Sequence, residues 1–148
     1  MRKATAGDLQ ALIYLLKVLF SIEADFSFNE TKQRRGLKMM LNNPACHCVM
    51  VAEVAGQVVG MCTAQLLIST AEGGLAALIE DMVVEQAYRK QGIGRALLLS
   101  IEQWAFKRGV KRLELLADME NAPALDFYQK MNWKRTQLIC LHKKSITH

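Results

Sequence analysis

The sequence predicts an α/β fold, one mixed sheet with helices on both faces, built by residues 1–148 as a single domain. Two observations carry that expectation. Runs rich in β-branched and apolar residues alternate with amphipathic stripes in the order β, α, α, β, β, β, α, β, α, β, the pattern of helices covering a partly parallel sheet. At 148 residues, 51% apolar and 22% charged, the chain is long enough for one core, and no stretch reaches the length of a membrane span.

The elements follow in order. A short extended start at Arg2 to Thr5 leads to Asp8, expected to cap a helix in which Leu9, Leu12, Ile13, Leu16 and Leu19/Phe20 share one stripe, through about Phe20. After the polar loop Glu23 to Asn29, Glu30 to Leu41 carries Leu37, Met40 and Leu41 on one side and stops at Asn42-Asn43-Pro44, a weaker helix. Cys48 to Val54 and Gln57 to Ile68 flank Ala55-Gly56 and read as an antiparallel hairpin. Beyond the turn Glu72-Gly73-Gly74, Ala76 to Val84 is apolar except for Glu80 and Asp81 and reads as a central strand. Gly92 to Lys107 places Ile93, Leu97, Leu98, Ile101, Trp104 and Ala105 on one helical stripe that ends at Gly109. Lys111 to Leu116 is a short strand, Asn121 caps a helix through about Lys130 with Pro123 in its first turn, and Trp133 to His142 is the last strand. The two later helices are expected to join parallel neighbours by right-handed crossovers.

Lys and Arg number 19 against 14 Asp and Glu, a net charge of +5, and they are scattered in pairs such as Arg34-Arg35, Arg89-Lys90 and Lys107-Arg108. Without interleaved aromatics this suits an anionic ligand at one cluster and argues against a nucleic-acid partner. No apolar signal segment follows Met1, so a cytoplasmic protein with no membrane association is expected, and Cys46, Cys48, Cys62 and Cys140 are expected as free thiols. Cys46-His47-Cys48 holds zinc-binding residue types, but successive strand side chains diverge and no second Cys/His pair follows, so no metal is expected.

The most informative stretch is Arg89-Lys90-Gln91-Gly92-Ile93-Gly94-Arg95-Ala96, between an apolar strand and an amphipathic helix. Gly92 and Gly94 let a phosphate approach the backbone, first-turn N–H groups have no intrahelical partners, and the helix dipole and Arg89, Lys90 and Arg95 favour negative charge. A pyrophosphate fits these requirements. A dinucleotide fold would need a third glycine where Leu97 stands and a tight turn where Glu85 to Gln91 intervenes, although Glu114 lies at a distance suited to a ribose-binding acid. No P-loop string occurs.

With Arg89, Gly92 and Gly94 in place, the segment resembles the acetyl-coenzyme A signature Gln/Arg-x-x-Gly-x-Gly/Ala of the GNAT superfamily. The resemblance extends to Arg2-Lys3-Ala4-Thr5 and Asp8, to the strand Leu78 to Val84, and to Asn121 to Lys130, which is similar to that family's Asn-x-x-Ala-x-x-Phe-Tyr-x-Lys string. Asn132-Trp133 stands where Gly-Phe is common, a conservative change because Asn tolerates a left-handed helix end. The resemblance implies acetyl-coenzyme A as cofactor and a splay of Leu78 to Val84 away from Lys111 to Leu116. It implies that pantetheine lies along Met82, Val83 and Val84, and that Gln91, Gly92, Ile93, Gly94, Arg95 and Ala96 hold the pyrophosphate beside Arg89 and Lys90. Asn121, Ala124, Phe127 and Tyr128 would line the far side of the cofactor. A homodimer is also expected.

Acetyl transfer to an amine needs a neutral nucleophile, and an alkylamine of pKa about 10.4 is nearly all ammonium at pH 7, so a base is required. The departing thiolate, with a conjugate acid of pKa about 8.5, is helped by a proton donor, a role suited to Tyr128 with an ordinary phenol pKa near ~10. Glu80 is the candidate base, because a carboxylate in an apolar strand is costly unless it faces water or a ligand; capping a neighbouring loop is its other open use. Adjacent strand residues face opposite ways, so Glu80 and Asp81 are not expected to reach the same face directly; one should be base or ammonium anchor and the other a structural or entrance residue. Ile79 to Val84 resembles the Glu-Asp-x-x-Val strand of diamine and polyamine acetyltransferases, which implies that Glu80 acts through a water.

Tyr128 is otherwise an ordinary core aromatic. None of His47, His142 and His148 sits beside a strained nucleophile turn, so direct attack in a ternary complex is expected, with N–H groups near Val83 and Val84 polarising the thioester carbonyl. Glu23, Asp25 and Glu30 are either collectors of a cationic amine or ordinary solvated loop residues. The acceptor is expected to be a small-molecule or peptide amine. A reading from another class is a non-catalytic sensor that binds coenzyme A or another nucleotide without turnover.

Overall fold

Strand alternation decides the layering. The computed structural model describes residues 1–23 and 25–146, in two compact units, Met1–Leu115 and Leu116–His148. In the first unit β1 (Arg2–Lys3), β2 (His47–Val54), β3 (Gln57–Ser69), β4 (Gly74–Val84) and β5 (Arg112–Leu115) lie side by side in that order. The first four pair antiparallel, and β5 pairs parallel with β4, so the sheet is mixed.

Val49 and Val51 of β2, Met61 of β3 and Val83 of β4 share one face. There α1 (Leu9–Ile22) buries Leu12, Ile13, Leu15, Leu16 and Leu19 against them, with Leu37 of α2 (Glu30–Leu41) in the same cluster. Each such side chain contributes about 1.5–3 kcal/mol by leaving water. The opposite face takes α3 (Ile93–Lys107), and the approach is close at Gly60 of β3. A Cβ there would lie 3.0 Å from Leu97 Cδ1 and 3.2 Å from Val83 O, so any larger residue presses on both α3 and the end of β4.

Helices on both faces and the hairpin turn therefore stand as expected; Ala55 and Gly56 both adopt positive φ, 51° and 80°, as a tight two-residue turn requires. Gly109, at φ 81°, follows the end of α3. One expectation is corrected at the start of the chain. Asp8 holds the N-cap position of α1, but its side chain makes no cap bond. It closes a short 3₁₀ turn, Ala6–Asp8, by accepting the Thr5 N–H at 2.7 Å and both arms of the Arg2 guanidinium at 2.8 and 2.9 Å. A bidentate charge-assisted pair outcompetes a single neutral N–H for the carboxylate.

In the second unit α4 (Ala122–Lys130) starts as expected: Asn121 Oδ1 accepts the Ala124 N–H at 3.2 Å, and Pro123 occupies the first turn. Asn132 adopts φ 69°, the left-handed helix end anticipated for it. The expected last strand, Trp133 to His142, does not form. Leu138, Ile139 and Leu141 are 88%, 77% and 83% exposed, and β-propensity makes a strand only where a neighbouring strand and a face to bury are available. The second crossover falls with it, leaving β4–α3–β5 as the parallel connection among the described residues. Among those residues no helix is long and apolar enough to cross a membrane.

Candidate active site

The centre of β4 is irregular, and the irregularity gathers the polar residues. Met61 pairs with Val83 and Thr63 with Glu80, so Cys62 alone faces both Asp81 and Met82, a β-bulge. Asp81 adopts φ 54°, a left-handed conformation that costs about 1 kcal/mol outside glycine and that breaks the strand's in-and-out alternation. The expected divergence of Glu80 and Asp81 is thereby overturned. Met61, Thr63 and Gln65 project from the α1 face of β3; Gln65 Nε2 lies 3.4 Å from Glu80 Oε1, and the Thr63 hydroxyl donates to Asp81 Oδ2 at 3.0 Å. Both carboxylates are thus met from one face of the sheet.

Both residues are half-buried, and burial of the Asp81 carboxyl pushes it up to about 6; the Thr63 hydrogen bond pulls it down and the Glu80 charge pushes it up again. The Cys62 thiol beside them is fully buried, and that burial raises it well above its ordinary value, so it stays neutral. Thr63 and Gln65 were missed by the sequence reading. Their signal was present as two polar residues two apart in the apolar run Val58 to Leu67, which marks one polar patch on a strand face.

The parallel ladder between β4 and β5 ends at Ile79 and Leu115, so Glu80, Asp81, Met82, Val83 and Val84 extend past the last rung on that side. Past Val84 the chain makes a short 3₁₀ turn, Gln86–Tyr88, fixed by Arg89, whose Nε donates to Val84 O at 2.8 Å. Lys90 at φ 63° and Gly92 at φ 81° then turn the backbone into α3. The first helical bond is from Ala96 N–H to Gly92 O; among the described residues no acceptor meets the N–H groups of Gln91, Gly92, Ile93, Gly94 or Arg95, and no side chain caps the helix. A Cβ on Gly92 would meet nothing within 4 Å, so the space before these amides is open. Bare amides, the positive helix end and the exposed Lys90 and Arg95 are the features of a phosphate seat, and they fit a diphosphate.

Beside this seat a groove of about 640 Å³ runs between Tyr14, Val18, Ser21 and Ile22 of α1 and Glu85, Gln86, Ala87 and Arg89. Glu23 ends α1 and Asp25 follows in the exposed loop, so both lie just beyond the helix that walls the groove. In the second unit Asn121 is engaged as a helix cap, and Ala124, Phe127 and Tyr128 are half-buried on α4. The Tyr128 ring stands edge-on between Phe127 at 5.2 Å and Trp133 at 6.2 Å.

Residues 13–133 match the model of the acetyltransferase (GNAT) family. An uncharacterized N-acetyltransferase of Methanocaldococcus jannaschii is 32% identical over 90 residues, 60% of this chain and 40% of that protein. The L-ornithine N5-acetyltransferase of Arabidopsis thaliana is 38% identical over 53 residues, 36% of this chain and 23% of that protein. The chain therefore spans well under half the length of these curated relatives. The structure of a predicted acetyltransferase of Clostridium acetobutylicum with acetyl-CoA superposes with a TM-score of 0.77 at 21% identity, covering 95% of this chain and 94% of that one, a likeness of fold.

Proposed function

The chain belongs to the GNAT acetyltransferase family, and on that premise we propose that it moves the acetyl group of acetyl-coenzyme A to a primary amine of a small molecule or peptide. The observation that carries the proposal is continuous along one stretch of backbone. A bulge turns two carboxylates to one sheet face, the next three residues run past the last β5 rung, and the chain then enters a helix whose first amides are bare.

Each part has a task. The N–H groups from Gln91 to Ala96 hold the diphosphate of the acyl donor, with Arg89 fixing the turn and Lys90 and Arg95 adding charge. Met82, Val83 and Val84 offer amide groups to the pantetheine arm, and the N–H groups near Val83 and Val84 stabilise negative charge on the carbonyl oxygen under attack. Glu80 takes the proton from the acceptor ammonium through a water, so that the neutral nitrogen attacks directly in a ternary complex. Tyr128 gives a proton to the departing sulfur, and Asn121, Ala124 and Phe127 border the donor. Asp81, Glu23 and Asp25 supply negative charge that favours a cationic acceptor.

A thiol-release assay with acetyl-coenzyme A over monoamines, diamines, amino acids and an aminoglycoside tests the reading, with acetylated product identified by mass. Release that depends on an amine supports it. Calorimetric binding of coenzyme A with no release for any amine overturns it in favour of a sensor.

A further inference from the structure

We propose that Thr63 is a positioning residue for acetyl transfer, its hydroxyl aiming the Asp81 carboxylate at the acceptor side of the sheet. The inference rests on the proposed transferase reading and adds to it a residue that contributes no charge and no nucleophile.

Thr63 is fully buried in the middle of β3, between Val49 of β2 and Glu80 of β4, so its hydroxyl needs a partner. That partner is Asp81 Oδ2 at 3.0 Å. The bond joins the bulge to the strand beside it at the place where the ladder is interrupted, and so fixes the direction of a side chain whose backbone is left-handed. It also acts on charge. Burial favours the neutral acid at Asp81, Glu80 next to it favours the same, and the Thr63 donor favours the carboxylate.

The neighbouring Cys62 thiol, buried and neutral, brings no positive charge that could take its place. Removing the hydroxyl therefore leaves the Asp81 proton harder to lose and the carboxylate without its anchor.

The test compares Thr63→Val and Thr63→Ser with the unaltered chain, using an amine found to be acetylated. The expected result for Thr63→Val is an acidic limb of kcat/KM displaced upward by about one pH unit, with acetyl-coenzyme A affinity by calorimetry unchanged and with Thr63→Ser returning the profile to the original. A carbon-13 NMR titration of the aspartate carboxyls in the ligand-free protein gives the same shift independently of turnover. A carboxyl shift without displacement of the rate profile overturns the catalytic role, and so does an equal loss of rate at every pH or a failure of Thr63→Ser to rescue. If no amine is acetylated by the unaltered chain, the transferase reading falls, while the NMR shift still reports whether Thr63 controls Asp81. Thr63→Ser keeps the donor and the polar character of the site, so it remains informative if the valine variant does not fold.

Discussion

Asp8 and Asp81 lie in the same unit, and each accepts a short side-chain hydrogen bond, 2.8 Å from Arg2 and 3.0 Å from Thr63, yet their carboxyls are displaced in opposite directions. The Arg2 guanidinium brings a full charge and two parallel bonds, and it holds Asp8 down to about 2. Thr63 brings a neutral dipole that does not repay the burial of Asp81, and that carboxyl stands at about 6. The first corner is a clasp that ties β1 to the start of α1 and reaches Glu53 of β2 at 3.3 Å. The second holds a half-buried carboxyl bonded to a neutral hydroxyl, and under the proposed function that carboxyl is the one that meets a cationic acceptor.

The largest expected effect separates the two corners by activity. Glu80→Gln, beside Asp81, is expected to lower kcat by about 10²–10⁴ through loss of the base, whereas Asp8→Asn leaves kcat within about twofold; thiol-release kinetics measure both. A smaller effect separates them by stability against pH. Asp81 binds its proton more tightly folded than unfolded, so its contribution is present below about pH 4 and is lost as pH rises through about 6, by roughly 3 kcal/mol. Asp81→Asn removes that slope, and thermal melts should show the variant gaining on the unaltered chain between pH 4 and pH 7. Asp8 has the opposite sign. Its stabilisation is present above about pH 4 and lost as pH falls through about 2, so Asp8→Asn should cost roughly 1 kcal/mol at neutral pH after allowance for screening and nothing near pH 2. The last effect concerns the phosphate seat: Gly92→Asp sets a like charge before the bare amides and a Cβ at φ 81°, and calorimetry should show acetyl-coenzyme A binding weakened about tenfold.

What could be read from the chain was what depends on near neighbours. The stripe of Leu12, Ile13, Leu16 and Leu19 gave α1, Ala55-Gly56 gave the hairpin, and Gly92 with its flanking cations gave the head of α3. The bulge was not legible, because alternation is a rule about regular strands and a left-handed aspartate suspends it. With the bulge hidden, Glu80 and Asp81 were assigned to different faces, and Thr63 and Gln65 went unnoticed although their two-residue spacing marks a polar patch. Asp8 looked like a helix cap because the competing Arg2 lies six positions away, outside the window a cap argument considers. Trp133 to His142 carried strand-forming residues, but pairing is a tertiary event that composition does not report.

The central claim is that the acetyl group passes straight from the donor to an amine at the face shared by Glu80 and Asp81. A single-turnover reaction with isotopically labelled acetyl-coenzyme A, quenched and followed by whole-protein and small-molecule mass spectrometry, measures this directly. The label should appear on the amine at the rate at which free thiol appears, with none on the protein; label accumulating on the chain first, or remaining on coenzyme A for every amine supplied, would contradict it.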